Sequence, residues 1–432
     1  MKRFSQILIF VLITTSLNLT AQDIITLSSC YDKAVQNHPQ FDEGQLHKNL
    51  WQLKQDNLTA SWYPSFEATG NILYNSSVAD LSETFESVPV PGLADNAPMM
   101  PHDQYRLTVD INQVIYDGGA IKGNRIIEDA GLELSEKEIE VELYKVREQV
   151  NNYYFTFILL KKQKTLVNAF LHTISEQILA VESGINNGVL LPSDRNILKA
   201  EKIKLEQQIS DIEIKIISTA AVLSDLTGMN ISYETDAIVP EPVLNKDFEL
   251  NRPELSVFDL RKQQLEAGKS IVRSERKPKA FAFATLGYGR PPGNDFFSDS
   301  FGPYYILGAG IKWNIIDWNK SKRKQEIIEL NKSIISSQKI KLEENLNRIL
   351  EMKYSEIRSL EYSLDSDEEL ISTLKSISKT AKSQYENGTI TASEYLFELN
   401  KQREAEINHE IHIVSLAKAK IEYLNIAGKE IE

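Results

Sequence analysis

The apolar positions of this chain step at helical spacing over unusually long distances. From Val146 they recur through Val150, Tyr153, Phe157, Leu160, Lys164, Val167, Leu171, Ile174, Ile178, Val181 and Ile185, and eleven of these twelve are apolar. The 4-3-4-3 spacing averages about 3.5 residues, which predicts a left-handed coiled-coil seam. From Leu346 the spacing recurs through Leu350, Lys353, Ile357, Leu360, Leu364, Asp367, Ile371, Leu374, Ser378, Ala381 and Tyr385. A return helix steps likewise through Leu205, Ile209, Ile212, Ile216, Thr219, Leu223 and Leu226. Gly119 to Ser183 contains no proline. A helix over it would run to roughly 100 Å at 1.5 Å per residue, too long for the core of a globular domain.

A second period appears between the helices. Tyr105, Leu107, Val109 and Ile111 alternate with Gln104, Arg106, Thr108, Asp110 and Asn112. Tyr305, Leu307, Ala309, Ile311 and Trp313 alternate with Ile306, Gly308, Gly310, Lys312 and Asn314. This period of two predicts strands. Partner strands are expected over Ser65 to Tyr74 and Ala280 to Tyr288, each joined to its mate by a loop rich in Pro and Gly. An isolated hairpin is marginal in water. The four strands therefore belong either to a small sheet packed on helices or to a barrel closed by several subunits. A face carrying charge opposite an aliphatic and aromatic face suits the barrel, with lipid outside and water inside.

The two sets of elements are one design written twice. Tyr105 is answered by Tyr305, Asp117 by Asp317, Tyr154 by Tyr354, Asn187-Gly188 by Asn387-Gly388 and Gly228 by Gly428, an offset of 200 residues. Upstream, Asn37-His38-Pro39 returns as Asn251-Arg252-Pro253, and Pro64 as Pro278, each at an offset of 214, so the first copy has 14 extra residues, in its strand-hairpin loop. Insertion there is cheap. A repeat this long is not a solenoid unit. Each copy predicts a helix broken before Pro39 or Pro253, a second helix ending before Pro64 or Pro278, a strand hairpin, and a coiled-coil hairpin.

The hairpin tips carry the candidate chemistry. Gly188 and Gly388 permit the left-handed turn that reverses a helix. The return helices open with Ser193-Asp194 and Ser393-Glu394, which suit helix N-termini. Asp194 and Glu394 can be read as acids complementing the helix dipole or as acids lining an aqueous entrance.

Composition narrows the class. The net charge of −13 argues against a nucleic-acid partner. Residues 1–21 read as a secretory signal, with Lys2 and Arg3 before an apolar core and Thr20-Ala21 at the cleavage site. No later stretch approaches a spanning helix. An exported chain of this kind is periplasmic, secreted, or a β-barrel of the outer membrane. Cys30 is the single cysteine, so no intramolecular disulfide forms. It resembles a lipid-anchor cysteine superficially, but polar residues separate it from the signal's apolar core, and it is read as a small residue on the first helix. His409 and His412 stand three apart without a third strong ligand, and are read as packed or hydrogen-bonded rather than metal-binding. Three Asn-x-Ser/Thr triplets, at Asn57, Asn75 and Asn230, are read as chance matches. No catalytic, phosphate-binding or dinucleotide motif appears, so no enzyme and no cofactor is expected.

Together the Asn-x-Pro breaks, the helices ending at Pro64 and Pro278, the amphipathic strands ending at Asp117 and Asp317, and the tips at Gly188 and Gly388 resemble the TolC-like outer-membrane efflux proteins. The segment Tyr385-Glu386-Asn387-Gly388-Thr389 is the most family-like. The resemblance covers essentially the whole mature chain. It implies a mainly α fold with a small β part: long coiled-coil hairpins forming an α-barrel, plus four strands per chain in a trimeric transmembrane β-barrel. It implies a homotrimer in outer-membrane lipid, docking with a periplasmic adaptor and an inner-membrane pump of the RND or ABC type. It also implies a passive duct opened by rearrangement of the periplasmic tips.

Carried over residue by residue, Tyr385 matches a tip tyrosine that helps hold the closed state, and Glu394 matches one of two acidic entrance positions. The second acidic position falls on Phe397 and the basic latch on Ile390, both departures from the family pattern. Asp194 is the first repeat's equivalent of Glu394. The lipid-facing candidates are Tyr105, Leu107, Val109, Ile111, Tyr305, Leu307, Ile311 and Trp313.

The expected organisation is a signal at 1–21 and a first repeat at 22–230, with its strand hairpin at 65–116 and coiled-coil hairpin at 118–228. A linker follows at 231–250, then a second repeat at 251–432 with hairpins at 279–316 and 318–428. The alternative is a periplasmic coiled-coil adaptor or scaffold without a pore.

Overall fold

The computed structural model describes residues 24–86, 92, 97–188, 190–244 and 249–429. The signal at 1–21 lies outside the described residues.

Both repeats place a helix, a strand hairpin and a coiled-coil hairpin in the same order. The first adds a two-residue strand, a leading helix, a 3-10 turn and a short helix between its hairpin strands. No helix of the second repeat precedes Pro253 among the described residues, so the break expected there is the end of an extended linker instead. The first opens with β1 (Ile24–Ile25), α1 (Leu27–Asn37), a short 3-10 turn at Pro39–Asp42, and α2 (Glu43–Ala60). β2 (Ser65–Tyr74), a short α3 (Ser82–Glu86) and β3 (Asp103–Tyr116) follow. The coiled-coil hairpin is α4 (Ala120–Asn186) and α5 (Pro192–Thr227). After β4 (Asp236–Ala237), the second repeat runs through α6 (Pro253–Ser274), β5 (Lys279–Arg290), β6 (Gly302–Lys312), α7 (Lys320–Glu386) and α8 (Ala392–Ala427). The long helices match to the residue, 67 in α4 and α7 and 36 in α5 and α8.

The chain forms two compact units, and each draws on both repeats. One comprises Ile139–Leu255 and Ile340–Glu432 with the N-terminal segment to Glu43; the other comprises Gly44–Glu138 and Ser256–Lys339.

The unit holding the hairpin tips has its core along the predicted seam except at Tyr153, which is 39% exposed; Tyr154, hydrogen-bonded to the carbonyls of Ile25 and Ile238, takes the inside position instead. Val150, Tyr154, Phe157, Val167, Ile174, Leu198, Leu205, Ile216 and Leu223 are buried in one cluster with Leu27, Cys30 and Ala34 of α1. Cys30 is fully buried, and burial pushes its thiol up to about 11. A thiol packed in this way fits the small-helix-residue reading. A parallel pairing of β1 with β4 joins the N-terminus to the linker; two residues per strand give too short an alternation to read from sequence. Tyr154 Oη reaches the carbonyls of Ile25 and Ile238 at 3.1 and 2.7 Å, on either side of that pairing.

The duplicated Asn-x-Pro breaks dock on the duplicated C-caps. Asn37 Nδ2 donates to Asp225 O at 2.8 Å and sits against Gly228, while Asn251 N donates to Ala427 O at 2.9 Å beside Gly428. Both glycines are left-handed, with φ of 66° and 78°. A Cβ on Gly428 would stand 2.3 Å from Asn251 O, so packing as well as conformation demands glycine there.

The other unit holds a four-stranded antiparallel sheet in the order β2-β3-β5-β6. The hairpins of the two repeats lie side by side through β3 and β5, leaving β2 and β6 as edges. β3 runs further than its clean alternation predicts. Its register shifts between Val114 and Tyr116, and a bulge of this kind breaks the period of two while the ladder continues.

Asp117 and Asp317 carry the chain from strand into helix. Asp117 accepts from Gly119 N and Ile121 N, and Asp317 accepts from Ser321 N. The residues between are left-handed in both repeats: Gly118 and Gly119 in the first, Trp318 (φ 51°) and Asn319 (φ 61°) in the second. No helix among the described residues is long and apolar enough to cross a membrane.

Candidate functional site: the sheet face and the hairpin tips

The register decides which side chains share a face of the sheet. Leu107 pairs with Tyr288, Val109 with Leu286 and Ile111 with Ala284. Leu286 in turn pairs with Tyr305, Ala284 with Leu307 and Ala280 with Ile311, while Phe66 pairs with Ile111 and Ile72 with Tyr105. Directly paired residues point to the same side. One face is therefore apolar across all four strands, through Phe66, Ala68, Gly70 and Ile72, then Tyr105 to Ile111, then Ala280 to Tyr288, then Tyr305 to Ile311. Most of its large side chains are exposed: Ile72 is 80% accessible, Leu307 71% and Ile311 77%.

The opposite face is polar and internally hydrogen-bonded. It carries Glu67, Thr69, Asn71, Arg106, Thr108, Asp110, Thr285 and Lys312. Asp110 accepts from Thr108 Oγ1 at 3.0 Å and from Thr285 Oγ1 at 2.5 Å, fixing the charge across β3 and β5. Phe281 and Phe283 also lie on this side, which sequence reasoning did not single out. Each covers a glycine of β6: a Cβ on Gly308 would stand 2.4 Å from the Phe283 ring, and one on Gly310 2.7 Å from Phe281. The Gly-x-Gly of β6 was the available signal, since strand glycines mark close approach by a neighbour.

Of the lipid-facing candidates, seven lie within β3 and β6. Trp313 does not. β6 ends at Lys312, and the Trp313 indole N–H donates to Arg276 O at 2.9 Å, tying the strand end to the chain just beyond α6.

At the tips, Gly188 and Gly388 take φ of 74° and 70° and reverse the hairpins as the turn chemistry predicts. Glu394 is held by a reciprocal cap. Thr391 N donates to Glu394 Oε2 at 2.8 Å and Glu394 N donates to Thr391 Oγ1 at 3.3 Å. The hydrogen bond from the Thr391 backbone, then that from its side chain, holds the exposed Glu394 carboxyl below the usual carboxylate range. Asp194 makes a weaker version, accepting from Leu191 N at 3.3 Å. Leucine at the cap position has no side-chain acceptor to return the bond.

Tyr385 stacks on Tyr395, with ring centroids 5.5 Å apart and planes within 2°. Both rings are buried, and the Tyr385 hydroxyl has no hydrogen-bond partner. Burial, with Asp194 and Tyr395 nearby, pushes the Tyr385 phenol up to about 12. Tyr395 also rises, through burial and then the Glu386 charge. The two departures from the family pattern, Ile390 and Phe397, line a shallow groove of about 620 Å³ with Ile377 and Glu394. A charged contact between the hairpins lies further along: Arg403 Nη1 donates to the buried Glu201 at 3.2 Å, joining α8 to α5. No group of three or more His, Cys, Asp or Glu among the described residues is arranged to hold a metal ion.

A short antiparallel sheet with one face apolar along the middle of all four strands, joined to two coiled-coil hairpins of matched length, is the architecture of the TolC-like outer-membrane efflux channels, and this chain has that fold. The solved structure of CusC, described in terms of transmembrane channel formation, superposes with a TM-score of 0.70 at 12% identity, covering 94% of this chain and 92% of that one. The Campylobacter jejuni outer-membrane channel CmeC gives a TM-score of 0.63 at 14% identity, over 94% of this chain and 86% of that one. The outer-membrane protein VceC of Vibrio cholerae gives 0.62 at 17% identity, over 92% and 96%. At these identities the likeness is one of fold. No family model and no curated protein sequence matches the chain.

Proposed function

We propose that three copies of this chain form a passive duct through an outer membrane. Three four-stranded sheets would close a barrel of twelve strands, joining the open edges of β2 and β6 between neighbours. The coiled-coil hairpins would extend into the periplasm as the entrance. The energy for transport would come from an inner-membrane pump of the RND or ABC type, linked through a periplasmic adaptor. Rearrangement of the tips would open the channel, with Tyr385, Asp194 and Glu394 at the entrance.

The observation that carries this reading is the sheet face that stays apolar across all four strands. A solvated sheet of this size would bury such a face against helices. Here Leu307 and Ile311 are more than two-thirds exposed, and the polar groups are gathered on the other face. That is the polarity of a barrel wall between lipid and water. The exposed Trp318, beside the strand end, suits the aromatic girdle at a membrane surface. A periplasmic scaffold without a pore has no use for this sheet.

Reconstitution into planar bilayers tests the proposal. Purified protein should insert and give discrete conductance steps. Protein that extracts into detergent-free buffer and never inserts would refute the duct. In the same assay Glu394→Lys should lower cation selectivity or divalent-cation block. Unchanged selectivity would leave Glu394 as a helix cap alone.

A further inference from the structure

The second hairpin has a polar layer where the first has a hydrophobic one. Val167 of α4 is fully buried, and Ile209 and Ile212 of α5 pack in the same core cluster. At the equivalent positions, 200 residues on, the second hairpin carries Asp367 on α7 and His409 and His412 on α8. Asp367 is 8% exposed. His412 Nδ1 lies 2.7 Å from Asp367 Oδ2, a hydrogen bond. His409 Nδ1 lies 3.5 Å from the same oxygen and is buried, yet it makes no hydrogen bond. The apolar cluster of the second hairpin reaches Leu360 and Leu416, and the tip cluster resumes at Ala381 and Leu399. The Asp-His-His layer lies in the stretch between.

We propose that Asp367, His409 and His412 form a proton-operated clasp that holds α7 to α8 in mild acid and loosens as the medium becomes alkaline. The charge count sets the direction. A carboxylate buried between two neutral imidazoles has a donor but no counter-charge, and such burial is costly. Protonation makes both nitrogens of an imidazole donors and supplies the charge. His409, which now presents an unpartnered Nδ1 to Asp367, would then close a charge-assisted hydrogen bond across the seam.

The neighbouring charges are engaged elsewhere. Glu406 pairs with Lys375 at 3.2 Å, Glu410 with Lys162 of α4 at 3.4 Å, and Lys420 with Glu361 at 3.3 Å. Asp365, Glu368 and Glu369, beside Asp367 on α7, are exposed. The first hairpin has no titratable group in its equivalent layer and serves as an internal control. The clasp is independent of the duct reading, because it concerns how two helices of one hairpin hold each other.

Hydrogen–deuterium exchange on the detergent-solubilised full chain tests it, with rates corrected for intrinsic pH dependence. Protection over residues 360–375 and 405–416 should fall about tenfold between pH 5.5 and pH 8, the size of one charge-assisted hydrogen bond. Residues 160–170 and 205–216, which hold no histidine, should not respond. Replacing the layer by the first repeat's residues, Asp367→Val with His409→Ile and His412→Ile, should abolish the response. His409→Gln, which keeps a donor but cannot charge, should reduce it. An equal response in both hairpins, or one surviving the triple substitution, would overturn the clasp.

Discussion

Tyr385 lies flat on Tyr395, the last turn of α7 against the first turn of α8, with planes within 2° and centroids 5.5 Å apart. The stack closes the tip of the second hairpin as a packing contact, since the Tyr385 hydroxyl bonds to nothing. Tyr385→Phe should therefore leave thermal stability within about 1 kcal/mol of the parent or above it, because a buried unpaired hydroxyl is removed. Tyr385→Ala should cost about 3 kcal/mol or more through the cavity it leaves. Unfolding in detergent separates the two. A large loss in the Phe variant would mean that the hydroxyl has a partner in the assembled protein.

The cap at Glu394 gives a pH dependence of known sign. Its carboxyl is held below the ordinary range, so its contribution is present above the unfolded value of about 4.3 and is lost as pH falls through the folded value. Exchange protection of the first turn of α8 should drop in that acid window. Thr391→Ala, which removes the reciprocal side-chain bond, should flatten the drop. Protection that is insensitive to pH in the parent would contradict the cap.

Arg403 and Glu201 join the return helices of the two repeats with side chains only 20% and 9% exposed. Arg403→Met should cost about 3 kcal/mol by stranding a buried carboxylate. The figure sits at the low end of the range because Lys204 Nζ remains 3.7 Å from Glu201. Adding Glu201→Leu should restore most of the loss. A double-mutant cycle on unfolding midpoints measures the coupling, and additive losses would show that the pair is not an energetic unit.

Trp318 occupies a left-handed backbone position that the first repeat fills with Gly118. Trp318→Gly should relieve about 1–2 kcal/mol of backbone strain. Gly428→Ala should do the reverse and more, because the new methyl meets the backbone of Asn251. Gly188→Ala, with nothing within 4 Å of the added Cβ, should cost only the conformational term. Unfolding midpoints that rank Gly188→Ala as the worse of the two alanine variants would reject the docking of Asn251 on the helix end.

Much of this was legible in particular residues. The seam from Val146 to Ile185 states a helix because an apolar residue every three or four positions has one buried solution. Asn187-Gly188 and Asn387-Gly388 state its reversal. Pro64 and Pro278 state where helix must yield to strand. The short pairing of Ile24–Ile25 with Asp236–Ala237 was not legible, because two residues carry no period. Nor was the end of β6 before Trp313, fixed by one hydrogen bond to Arg276 O, whereas the cap at Glu394 has its signal in Thr391-x-x-Glu394, the Thr-x-x-Glu pattern of a capping box.

What the sequence determined by itself was the element order, the duplication and the polarity of each strand, because local periodicity and turn chemistry act within a few residues. Only the tertiary structure decided that β3 lies beside β5, so that four separate alternations join into one apolar face. Only it brought Asp367 to His412 and Glu201 to Arg403. Those contacts join residues 45 and 202 positions apart, and no local preference specifies such pairings. They are set by register and by which helix faces meet, which the chain settles only when it packs.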